Sequence, residues 1–258
     1  METHLAGASI LARVATFLER YLAGEYEQVW AELVEMGPEV RHPSILPEAA
    51  AVARETMRRA RANIQTLLPQ LRALGYRFGT FSGGGFTPTR PYSPPSKTSL
   101  LQLKRLDRLA GPLPLSLQAW YEVVGSVHLV GQAPWGDTAV PADAVVVDPV
   151  HSVLYFVREW LEEFGSVPPE ERCTFDPCLA AEFAPDEWHK DDTSGGPPYA
   201  IHLPNASADA RVEYEWHNTT FVSYLRECFA CGGFPGLARL PGGLPVEVRQ
   251  LAAGLLPL

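Results

Sequence analysis

LKRLDRLAGPLPLSLQAWYEVVGS, residues 103–126, is the stretch whose reading decides the fold. Leu103 and Leu106, with Leu100 just upstream, recur at helical spacing and predict an amphipathic helix over 98–109. Gly111 and Pro112 break it. Pro114 has no backbone N–H to leave unpaired and a φ preset for a first turn, so a second helix opens there. Leu117, Trp120, Tyr121 and Val124 fall on one face of that helix, and its two aromatics can anchor it against a sheet. Gly125 stops it and lets the chain turn into a strand over 127–130.

Downstream, 144–147 predicts another strand. Asp148-Pro149 then predicts an N-cap followed by a first-turn proline. Val150, Val153, Leu154, Val157, Trp160, Leu161 and Phe164 form one stripe of the helix that follows. Strands are expected at 179–184, 199–203 and 211–216, a helix at 219–231, and a Gly/Pro-rich tail after it. Upstream, helices are expected over 3–23 and 25–36, and a third from Pro47, which Pro69 kinks near its end. A short strand is expected at 75–78. The segment 81–97 is dense in Gly and Pro and predicts a linker. Strands and helices interleave without strict βαβ repetition, which favours α+β. The expected organisation is a helical N-terminal region over 1–80, a linker over 81–97 and an α+β domain over 98–258.

The 258 residues are 46% hydrophobic and 20% charged, enough apolar material for a packed core. Formal net charge is −9, and its distribution says more than its size. Residues 1–75 hold eight Arg and nine Glu, whereas residues 111–225 hold eighteen Asp or Glu against four Lys or Arg. A field of that sign repels nucleic acid and anionic membrane and attracts basic proteins. No stretch reaches the roughly 18 apolar residues of a membrane span, and no signal-peptide pattern opens the chain, so a cytoplasmic location is expected. Four Cys are too few for a disulfide scaffold.

Motifs that carry chemistry are scarce. No phosphate loop, dinucleotide fingerprint, nucleophile elbow or His-Glu-x-x-His appears. Cys173, Cys178, Cys228 and Cys231 could hold a tetrahedral zinc if the two pairs met, but Cys228 lies on the apolar face of its helix, where free Cys is commonly buried. The segment Asp186-Glu187-Trp188-His189-Lys190-Asp191-Asp192 can be a solvated acidic loop, a partner-facing loop, or a pair of acids with shifted pKa values. Arg54, Arg58, Arg59 and Arg61 read as a solvated helix face.

The quoted stretch resembles the opening of the SUKH superfamily, which includes yeast Smi/Knr cell-wall-synthesis regulators and many bacterial immunity proteins. The shared pattern is an amphipathic helix, Leu-Pro, a helix with aromatics, and a glycine leading to a strand. Two glycines often close that helix in the superfamily; here the second position is Ser126. Asp148-Pro149, Gly195-Gly196 before Tyr199-Ala200-Ile201, and Thr220-Phe221-Val222-Ser223-Tyr224-Leu225 are also similar, so the resemblance spans about 98–235. It implies a mixed sheet with packed helices and a protein that binds another protein, such as a nuclease toxin. It carries over no catalytic residue and no cofactor.

The expected function is therefore non-enzymatic protein binding through an acidic face. The alternatives are a metal-dependent hydrolase using the four cysteines or the 186–192 acids, and a scaffold or regulatory protein. Exposed aromatics and acids in loops can anchor or steer an interface, which makes Trp135, Asp137, Asp186, Glu187, Trp188, Asp191 and Asp192 the candidate contact residues.

Overall fold

Thr16 starts the first helix as a reciprocal cap. Its hydroxyl accepts from the Glu19 amide, and the Glu19 carboxylate accepts from the Thr16 amide. This computed structural model describes residues 15–82, 85–136, 138–166, 178–193 and 195–258. Helix α1 (Phe17–Leu22) ends at Gly24, and α2 (Tyr26–Glu35) runs into a 3₁₀ turn at Gly37–Arg41. Most of the expected helix over 3–23 lies outside the described residues. Helix α3 (Leu46–Ala73) stays helical past Pro69. Its inner face, with Val52, Met57, Ile64, Leu67 and Leu71, is fully buried. Trp30 of α2 donates its indole N–H to Thr56 of α3 at 3.0 Å, so the pair needs no water.

Helix α4 (Lys97–Ala110) and α5 (Leu115–Val123) form as the leucine spacing predicts, and α5 packs along α3. Strand β1 (Arg77–Ser82) pairs antiparallel with β2 (Gly85–Pro88) and with β5 (Gly131–Gln132). Strand β4 (Ser126–His128) lies between β3 (Tyr92–Ser93) and β6 (Val146–Val147). Helix α6 (Val150–Phe164) leads towards β7 (Ala180–Ala184), which pairs with β8 (Tyr199–His202) through an irregularity between Glu182 and Ala184. Helix α7 is Glu187–Lys190, α8 is Phe221–Ala230 and α9 is Val246–Ala252. The fold is α+β, with small antiparallel sheets set among helices. No helix among the described residues is long and apolar enough to cross a membrane.

Several expectations need correction. The segment 81–97 is not a free linker: it holds β2 and β3, which pair with β1 before it and β4 after it. Strand β3 fits between Pro91 and Pro94, and β2 carries its proline, Pro88, only as the last residue, opposite Gly79. The two expected parts share one hydrophobic cluster, and Tyr76 donates its hydroxyl to the Leu129 carbonyl at 2.7 Å across their boundary. Asp148 is not the α6 cap: Pro149 occupies that position. The strand expected at 211–216 makes only isolated bridges, Ala200 to Glu213 and Arg211 to Thr220. A short helix, α7, stands where a loop was one of the readings, and α9 lies in the expected tail.

Asn63, on the buried face of α3, holds the last described residues. Its Nδ2 donates to the Leu256 carbonyl at 2.9 Å, and its Oδ1 accepts from the Leu256 amide at 2.7 Å. Asn63→Leu removes the partners of both backbone polar groups of Leu256. The expected loss is about 1–3 kcal/mol in urea unfolding, together with faster amide exchange at Leu256. Unchanged exchange at Leu256 would show that the clamp contributes nothing.

Candidate functional site

Helix α7 is short, and Asp186 builds it. The Asp186 Oδ1 accepts from the amides of Trp188 (2.9 Å) and His189 (3.3 Å), and its Oδ2 contacts His189 Nδ1. Burial pushes this carboxyl up, but the bonds from His189 and the two amides hold it below its ordinary value. Gly195 closes over the cap: a Cβ there would overlap Asp186 Oδ1 and lie 2.7 Å from Trp188 Cβ. Glu187 pairs with both terminal nitrogens of Arg239, whose guanidinium lies 5.0 Å from the Trp216 ring centre.

Lys190 turns inward. Its Nζ sits 2.6 Å from Asp143 Oδ1 and 4.3 Å from the Tyr199 ring centre, while Tyr199 donates its hydroxyl to Asp143 Oδ2 at 3.2 Å. The side chains of the ion pair are 2% and 0% exposed, so this charge pair is interior. Burial raises the Asp143 carboxyl above its ordinary value; Lys190 and Tyr199 oppose the shift.

Two clefts meet at His189 and Lys190. One, of about 470 Å³, runs past Gly131, Trp135, Thr138, Asp191 and Asp192. The other, of about 370 Å³, is lined by His128, Asp148, Phe156, Glu182 and Pro198. Strand β4 supplies His128, the β6–α6 junction supplies Asp148, and β7 supplies Glu182. Burial raises the Asp148 and Glu182 carboxyls and lowers the His128 imidazole.

The structure sorts the candidate contact residues. Trp188 is 46% exposed, and Asp191 and Asp192 are exposed beside the first cleft. Trp135 is half-buried rather than free, with ring centres 5.8 Å from Tyr76 and 5.5 Å from Phe234, yet it still walls that cleft. Asp186 and Glu187 do not face outward as loop acids: the first is a buried cap and the second is locked to Arg239. Asp137 lies outside the described residues. So the 186–192 segment is not merely a solvated loop.

The described cysteines do not assemble. Cys173 lies outside the described residues. Cys228 and Cys231 are buried, Cys178 is exposed, and no three His, Cys, Asp or Glu side chains gather for a metal among the described residues. Burial pushes the Cys228 thiol well up and the Cys231 thiol to about 11. Cys178, Cys228 and Cys231 do not gather at one point among the described residues.

The sequence reading missed His128, Asp148, Glu182, Trp216 and Arg239. No local spacing marks them, because they come from separate elements. A partial signal existed: Lys190 stands alone among acids, and a lone cation in such a run is a candidate for an inward ion pair. No protein-family model, curated protein or solved structure matches the chain.

Proposed function

We propose that the protein is a non-enzymatic, cytoplasmic binding module, of the immunity or regulatory kind that the SUKH resemblance implies. It receives a basic protein partner, such as a nuclease toxin, on the surface around α7. One observation carries this reading: an exposed indole, Trp188 of α7, is followed within four residues by two exposed carboxylates, Asp191 and Asp192, that line a cleft walled by Trp135. Aromatic anchors supply affinity and peripheral acids supply steering, and the capped, ion-paired α7 holds both in place. Trp216, 41% exposed and tied to α7 through Arg239, adds a second indole to this part of the surface.

The acidity of residues 111–225 is not all available for steering. Asp143, Asp186, Asp209 and Glu215 are buried. Asp191, Asp192 and the α6 residues Glu159, Glu162 and Glu163 are exposed.

The test is a pull-down with the full chain at low and high salt, repeated with Trp188→Ala and with Asp191→Lys/Asp192→Lys. A basic protein should be retained at low salt and released at high salt. Trp188→Ala should weaken retention by about 30-fold, as loss of a 2 kcal/mol hot spot does. The charge reversal should slow association more than it speeds release. Equal retention by all variants at both salts would overturn the proposal.

A further inference from the structure

We infer that the cavity between β4, α6, β7 and α7 accepts one guanidinium or alkylammonium group, placed between the carboxylates of Asp148 and Glu182. The inference rests on the proposed basic partner, whose arginine or lysine side chain would be the occupant.

Three polar groups converge on this cavity without internal partners. Asp148 and Glu182 make no side-chain hydrogen bond among the described residues. His128 Nδ1 is buried and unpaired. Of the three, only His128 Nδ1 is shut off from solvent; the half-buried carboxylates are open to water, which a charged donor entering the cavity can replace. The volume, about 370 Å³, falls within the range of ligand sites.

The local charge selects a cation. Lys190 lines the cavity, but its charge is matched by Asp143, and His189 lies against Asp186. Burial favours the neutral imidazole of His128. Lys190 and His151 oppose the effect of burial on Asp148 only in part, and no cation among the described residues is paired with Glu182. Both carboxyls are raised by burial, so an entering cation would restore the ionised forms that the cavity disfavours. Guanidinium donors suit two acceptors from different elements, and Phe156, 43% exposed and lining the cavity, offers a ring for the charge or the alkyl stem.

The probe is butylguanidinium, with uncharged butylurea as its control, titrated into the full chain by calorimetry while the His128 imidazole resonances are followed. Saturable butylguanidinium binding that moves the His128 signals, with butylurea at least about tenfold weaker, is the expected result. Asp148→Asn/Glu182→Gln should weaken it by about tenfold or more without lowering Tm, because it removes two desolvated carboxyls and leaves similar shapes. Equal binding of both probes, or no saturable binding, overturns the inference. So does full capture of a basic protein by the double variant, an outcome that leaves the proposed function standing. Butylguanidinium binding without any captured protein supports the cavity as a site for a free organic cation and counts against the protein-binding function.

Discussion

Lys190→Met should destabilise the fold by about 3–5 kcal/mol, the usual cost of leaving one member of a buried pair without its partner. Asp143 has no exposure at its side chain, and Tyr199 is its other hydrogen-bond donor. Methionine fills the stem of the lysine but donates nothing. The carboxylate must then protonate, draw in water or lose local structure. Lys190→Met/Asp143→Leu removes both charges and should recover most of the loss, since well-packed apolar replacements of buried pairs are often neutral. A double variant as unstable as the single one would show that the pair's geometry, not its charge, holds α7.

The same variant has a pH signature with a definite sign. Burial already raises Asp143 above its unfolded value, and Lys190 opposes that rise. Removing Lys190 raises it further. A carboxyl whose folded pKa exceeds its unfolded pKa stabilises the fold below the unfolded pKa, and the contribution is lost as pH rises through the folded pKa. The stability gap between wild type and Lys190→Met should therefore be smallest in acid and widen as pH rises through and above the carboxylate range. Urea midpoints compared at matched pH values measure it. A gap that is constant with pH would mean that Asp143 is not the group left exposed to the low-dielectric interior.

What the sequence made legible follows from range. Helices α3, α4, α5, α6 and α8 repeat apolar residues on a 3.6-residue period, and that period is local. The strands are mostly two to five residues long, too short for alternation to show, and several appear only because a distant partner pairs with them. The acids behave in the same way. Asp209 is fully enclosed because Ser116, 93 positions away, donates to one oxygen at 2.6 Å and the Val222 amide donates to the other at 3.0 Å. It thereby caps α8, whose own Thr220 makes no side-chain cap bond. Composition counts Asp209 and Asp143 as surface charge; topology buries them. The cleft surface was half legible for the same reason. Trp188, Asp191 and Asp192 lie in one segment and could be picked out together, whereas His128, Asp148 and Glu182 are assembled from three elements.

Gly125→Ala should cost about 2–5 kcal/mol, the sum of about 1–2 for the backbone conformation and about 1–3 for overpacking. The residue has φ +97°, and its amide closes α5 by donating to the Trp120 carbonyl at 3.0 Å. A Cβ there would overlap the Ser93 carbonyl oxygen and lie 3.0 Å from backbone atoms of Pro94 and Pro95. None of these is the end of a flexible side chain. Ser93 belongs to β3 and faces Ser126 of β4, so relief of the overlap must pry apart the β3–β4 pair. Gly75→Ala separates the two contributions: Gly75 has φ +88° with nothing within 4 Å of an added Cβ, so only the conformational part applies. The excess of Gly125→Ala over Gly75→Ala should be about 1–3 kcal/mol. It should also shift the resonances of His128, two residues along β4 from the point of strain. Equal losses at the two positions would mean that this turn is required for its backbone angle alone, and that the close approach of Ser93 does not constrain the strand carrying His128.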